Sequence, residues 1–193
     1  MVLIDEAAAA VLARVPEPTE ARPVLIGIDG LGGAGKTSLA DGIAEARPDV
    51  QVVHGDDFYG PEQRDWRSWT AQQGYERYFD HERLSAHLLE PLRQGRTGTF
   101  RRYDWGENTQ GDWVDVAPHG LVVVEGVYLL RPLLRRAWDL AVFVEVPRDV
   151  RAARLHARGQ DDPGWIERWM AAEDYYEQVH DPAGVADLVV PGV

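Results

Sequence analysis

Of the 20 basic side chains in this sequence one alone is lysine, Lys36, and it lies in the run Gly30-Leu-Gly-Gly-Ala-Gly35-Lys36-Thr37. That spacing, G-x-x-x-x-G-K-[ST], is suited to holding a triphosphate. Glycines let successive backbone N–H groups point into one concavity, and a helix starting there adds positive potential. The lysine reaches the β- and γ-phosphates and the threonine hydroxyl ligates Mg²⁺. Gly30, Gly32, Gly33, Ala34, Gly35, Lys36, Thr37 and Ser38 are therefore the expected nucleotide cradle. The bland alternative is a glycine-rich turn with a stray lysine. A compact, mobile ammonium at the one position that is not arginine argues for chemistry.

Acids supply the next candidates. His54-Gly-Asp56-Asp57-Phe58-Tyr59 follows an apolar run, and the carboxyl ends of parallel strands are where α/β sheets bind ligands. Asp56 is the candidate that orients an acceptor hydroxyl and takes its proton; its alternative is a helix or turn cap. Leu121-Val-Val-Val-Glu125-Gly126 is a second apolar run ending in an acid, resembling a Walker B element with glutamate for the usual aspartate. Glu125 is expected to hold Mg²⁺ through water, with Thr37 and Asp56 as the other candidate ligands; a solvated strand end is the alternative. Arg151, Arg154 and Arg158 share one helix face by their i, i+3, i+7 spacing. They are candidates to close over a transferring phosphoryl group, or else form a solvated, salt-bridged face.

The elements that must position these residues read as alternating strands and helices. Residues 5 to 14 predict a short helix stopped by Pro16 and Pro18, and Val24 to Asp29 a buried strand bounded by Pro and Gly. A helix from about Lys36 to Ala46 follows the glycine turn, then a strand from Val50 to His54. Gly60 to Gly74 is polar, carries Trp66 and Trp69, and reads as a long loop or lid. Leu84, Leu88 and Leu92 mark an amphipathic helix, and Thr99 to Trp105 with Trp113 to Val116 a small hairpin outside the main sheet. Apolar runs at Leu121 to Val124, Leu140 to Val146 and Leu188 to Val190 complete the strands, with helices near 132–137, 148–158 and 165–180. The pattern predicts an α/β chain of the P-loop NTPase fold: three layers, a parallel sheet of about five strands, a hairpin and a lid.

Size and composition narrow the function. At 193 residues and 45% hydrophobic content one domain spans the chain. Within it the reading separates an N-terminal helical extension (about 1–22), an acceptor-binding or lid insert (about 56–116) and an arginine lid (about 148–164). A net charge of −12 excludes a nucleic-acid partner, because backbone affinity rests on clustered Lys and Arg. The absence of cysteine suits the cytoplasm and rules out thiolate chemistry. Asp5 and Glu6 interrupt the apolar N-terminus, so no signal peptide is expected, and no run reaches membrane-spanning length. A second copy of the chain is the one macromolecular partner left open. The guanine-reading N-K-x-D motif of GTPases needs a second lysine, so ATP is the expected nucleotide.

At Gly30 to Thr37, Asp56-Asp-Phe-Tyr59, Phe79-Asp80-His81, Tyr103-Asp104-Trp105, Val124-Glu125-Gly126 and Arg151-Ala-Ala-Arg154, in that order, the chain resembles the uridine kinase/phosphoribulokinase family of P-loop kinases. The resemblance extends from about Val24 to Ala186-Asp-Leu-Val-Val190. It implies γ-phosphoryl transfer from ATP, with Mg²⁺, to a hydroxyl of a small molecule, a nucleoside among the acceptors. Acceptors of the same fold include sugar phosphates, pantothenate-like alcohols and glycerate; an acceptor-free ATPase or switch is the reading from another class. The resemblance also implies that Asp56 is the base, Tyr59 a nucleoside contact, Asp80 the carboxylate gripping ribose hydroxyls and Tyr103 a neighbour of the base pocket. Asp80 has a second reading as a helix N-cap. Arg151 and Arg154 match the family's phosphate-contacting lid arginines. One departure concerns the acceptor: Trp105-Gly-Glu-Asn108 lacks the histidine with which uridine kinases help read the pyrimidine.

Overall fold

The apolar runs bury every residue of β1 (Val24–Gly30), which a strand achieves only with neighbours on both edges and cover on both faces. A computed structural model of the chain describes residues 2–17, 19–60, 66–159 and 162–192. In it β1 lies at the centre of a five-stranded sheet ordered β2-β5-β1-β6-β7, with β2 at Val50–His54, β5 at Leu121–Gly126, β6 at Leu140–Glu145 and β7 at Leu188–Pro191. All four pairings are parallel.

Strand residues alternate between two cores, as period-two geometry requires. Ile26, Ile28, Val123, Val142 and Val144 pack against α1 (Val2–Leu12) through Ala8 and Val11, and against α2 (Lys36–Ala46) through Leu39, Ala40 and Ile43. Leu25, Val122, Val124, Ala141 and Phe143 face the other way. There they meet Tyr75 of α3 (Ala71–Arg77), leucines of α4 (His81–Leu84) and α5 (Glu90–Arg93), Leu134 of α6 (Pro132–Arg135) and Tyr176 of the long helix Pro163–His180. The outcome is the three-layer αβα arrangement. The hairpin β3 (Gly98–Asp104) and β4 (Thr109–Val116) forms its own two-stranded sheet.

Three local differences from the sequence reading have physical causes. The expected loop at 60–74 ends in the start of α3, set by a capping box: Thr70 Oγ1 accepts from the Gln73 N–H at 3.2 Å, and Gln73 Oε1 from the Thr70 N–H at 2.9 Å. Residues 61–65 of that segment and the Trp66 side chain lie outside the described residues. The leucine-striped helix is one element in which a π turn at Ser85–Leu89 joins α4 to α5. The expected helix near 132–137 is the single turn α6. After it come α7 (Arg148–Arg158), α8 (Pro163–His180) and a further short helix, α9 (Pro182–Val185). Among the described residues no helix is long and apolar enough to cross a membrane.

Candidate active site

The glycine run leaves β1 and turns sharply into α2. Gly33 and Gly35 have φ of 79° and 93°, a left-handed backbone that side chains with a Cβ rarely adopt. Gly35 is the N-cap of α2 and makes no side-chain cap bond, so the first amides of the helix are donors for something outside it. Lys36 Nζ rests on the Leu31 carbonyl at 3.3 Å. Gly32, Gly33, Gly35, Lys36, Thr37 and Ser38 line a cleft of about 620 Å³, while Gly30 and Ala34 are buried beneath it.

The strand register brings the acids to the same place. Glu125 pairs with Ile28 on one side and His54 on the other, so it sits at the carboxyl edge between β1 and β2. Its carboxylate is buried; Oε1 is 2.7 Å from His54 Nδ1 and accepts from the Thr37 hydroxyl at 3.3 Å. That contact raises the His54 pKa above its ordinary value. Asp56 stands in the 3₁₀ turn Gly55–Phe58 directly after β2, and no side chain caps that turn. Asp56 keeps solvent-accessible surface because the cleft is open, yet protein surrounds it. Desolvation, then the charge of Glu125, lifts its carboxyl above the usual carboxylate range, and Lys36 opposes the rise. Asp57 is lifted by burial as well, but it is not among the residues lining the cleft.

Opposite the acids the cleft is aromatic. Tyr59, Phe79 and Trp105 line it, with Tyr59 5.7 Å from Phe79 and 4.5 Å from Trp105 by ring centroids. Trp105 is 58% exposed at the cleft mouth. Tyr103 is buried behind this wall, in ring contact with Tyr59 and Trp105, its hydroxyl donating to Asn108 Oδ1. It supports the wall rather than facing the cleft. From α8, Trp165, Ile166 and Trp169 close another side, with Leu155, Arg158 and Asp162 beside them. The sequence reading missed the α8 contribution; its signal is the W-I-x-x-W spacing, which puts both indoles on one helix face.

Besides Tyr103, three expected residues are placed outside the cleft. Arg151 does not reach the cleft: it is 2% exposed, and its guanidinium donates to Glu173 Oε2 at 2.8 Å. The shared arginine face is therefore split, because α8 packs on α7 and turns Arg151 inward. Arg154 donates to the Gly33 carbonyl at 3.0 Å, on the protein side of the loop, and of the three only Arg158 lines the cleft. Asp80 is a helix cap: Oδ1 accepts from the Arg83 N–H at 2.8 Å, and the residue borders a neighbouring cavity of about 700 Å³ that shares Phe79 with the cleft. Next to it, burial and Arg131 push the His81 pKa down to about 3, so Nδ1 of the neutral ring accepts from Arg131 at 2.7 Å.

A glycine-rich loop and lysine at the carboxyl edge of a parallel sheet, flanked by acids from two strands, define the class of P-loop kinases. The family profile described as Phosphoribulokinase / Uridine kinase family matches residues 25–193, and the chain belongs to that family. The uridine kinase of Clostridium novyi (strain NT) is 28% identical over 187 residues, 88% of each chain. The structure of a possible uridine kinase from Bacillus stearothermophilus is similar with a TM-score of 0.75 at 26% identity, covering 98% of this chain and 97% of that one. A D-glycerate 3-kinase from Cryptococcus neoformans shares the fold with a TM-score of 0.55 at 14% identity, over 94% and 87% of the two chains.

Proposed function

We propose that the protein transfers the γ-phosphoryl group of ATP to a hydroxyl of a small acceptor carrying a flat ring, a nucleoside in the simplest case. The observation that carries this reading is that Asp56 lines one cleft with Lys36, Thr37 and the rings of Tyr59, Phe79 and Trp105. A base that takes a proton from a hydroxyl gains from a pKa raised toward the working pH, the direction in which burial moves Asp56.

Lys36 and the amides at the start of α2 bind and orient the phosphates, and Asp56 orients the acceptor hydroxyl and takes its proton as the oxygen attacks. Thr37 and Glu125 offer hard oxygen donors suited to Mg²⁺, with Asp56 near. Mg²⁺ held there would neutralise phosphate charge. Tyr59, Phe79 and Trp105 stack the acceptor's ring. Among the described residues lining the cleft, Lys36 and Arg158 are the cations. One kinase domain follows, with residues 56–116 supplying the acceptor half and the 148–164 segment contributing Arg158 to the cleft. Dependence on ATP goes with a cytoplasmic location.

The test is coupled ADP release with MgATP across nucleosides, sugars and related alcohols, with Asp56→Asn alongside. Acceptor-dependent turnover that the substitution abolishes is the expected result and names the acceptor. Turnover indifferent to every acceptor and to Asp56 would replace this reading with an ATPase.

A further inference from the structure

We propose that Glu173 is a positioning residue for nucleotide binding: from α8 it locks the plane of the Leu31–Gly32 peptide, and with it the resting place of Lys36. The inference rests on the nucleotide reading given above.

Glu173 is fully buried on a helix face that otherwise carries Ile166, Met170, Ala172 and Tyr176. A carboxylate there costs several kcal/mol of desolvation unless it is paired and hydrogen-bonded. Oε1 accepts from the Gly32 N–H at 2.5 Å and from Trp169 Nε1 at 2.7 Å, and Oε2 from Arg151 Nη1 at 2.8 Å. The ion pair alone does not explain the residue, because two apolar side chains of similar volume serve a buried core at least as well. The bond to Gly32 does, because no apolar side chain can accept it.

The other face of the same peptide is the Leu31 carbonyl. It accepts from Ala34 N–H at 3.0 Å, which closes the loop's turn, and from Lys36 Nζ at 3.3 Å. Glu173 therefore holds the N–H while the carbonyl holds the lysine; a flip of that peptide breaks all three bonds. A Cβ on Gly32 would lie 3.0 Å from both Glu173 Oε1 and Trp169 Nε1, so the contact leaves room for glycine. Arg154 grips the next residue through the Gly33 carbonyl. The phosphate loop is thus fixed from outside by α7 and α8, and a loop already in its binding conformation loses less freedom when phosphates arrive.

The experiment compares wild type, Glu173→Gln and the double variant Arg151→Met with Glu173→Leu, which removes the carboxylate without stranding a buried arginine. Melting temperature, MgADP dissociation by calorimetry and exchange of the Gly32 amide by NMR are measured. The double variant is expected to fold, to bind MgADP about tenfold more weakly, the cost of one charge-assisted hydrogen bond, and to exchange the Gly32 amide faster. Glu173→Gln, whose amide oxygen still accepts from Gly32, falls between. A folded double variant that binds MgADP as tightly as wild type overturns the proposal. Fast exchange of the Gly32 amide in the wild-type protein overturns it too, and needs no variant. Wild type that binds no MgADP at all removes the nucleotide reading itself, an outcome visible before any substitution.

Discussion

The two ends of the cleft are built differently. The phosphate end comes from one contiguous stretch, Gly32 to Ser38, held from behind by hydrogen bonds to Glu173 and Arg154. The aromatic end is assembled from Tyr59, Phe79 and Trp105 together with Trp165 and Trp169 of α8, residues from four separate parts of the chain that meet through ring contacts. Phosphate recognition needs backbone amides and one cation in a fixed array, which a short motif supplies. Ring recognition needs flat surfaces, and any element that brings one will serve.

Substitutions sharpen that contrast, and the largest effect belongs to the residue that links the two ends. Asp56→Asn should lower kcat about 100- to 10,000-fold with MgADP affinity little changed. Burial and Glu125 raise the Asp56 pKa, and the base works ionised, so kcat/KM of the wild type should climb with pH through that raised value. The climb should vanish in Asp56→Asn; a profile identical in both proteins would assign the proton to another group. Lys36→Arg keeps the charge but not its compact shape, and kcat should fall about 100-fold, against an acceptor KM that stays put. If arginine works there, the single lysine of this chain has lost its explanation.

At the other end the changes are smaller. Trp105→Ala removes one stacking face and should raise acceptor KM about tenfold while leaving MgADP binding as it was; equal losses at both ends would mean that the wall is not a separate recognition unit. Smallest of all, Asp80→Ala should cost about 1 kcal/mol of stability through the lost N-cap, seen as a lower melting temperature, and Asp80→Asn should restore it. An acceptor KM raised by Asp80→Asn at unchanged stability would instead make the carboxylate a ligand contact.

The sequence carried most of the fold, because buried parallel strands must be continuous apolar runs and the elements between them must cover both faces. The α3 capping box was legible at Thr70 and Gln73, though the polar content around it reads as loop. Arg151 was legible only as a charge on a helical face. Periodicity says which residues share a face, and nothing about what that face meets. The same limit hid Glu173, an acid 141 positions from the glycine whose amide it accepts.

What the sequence determined by itself is the chemistry that is local: the Gly30–Ser38 cradle, the acids ending β2 and β5, and the α/β alternation that sets them at one sheet edge. Only the tertiary structure decided which charges face the cleft and which brace it, and which rings form its wall. Those choices depend on how α7, α8 and the hairpin pack against the sheet. A carboxylate or an indole has the same identity in the sequence whether packing turns it toward a ligand or toward the protein.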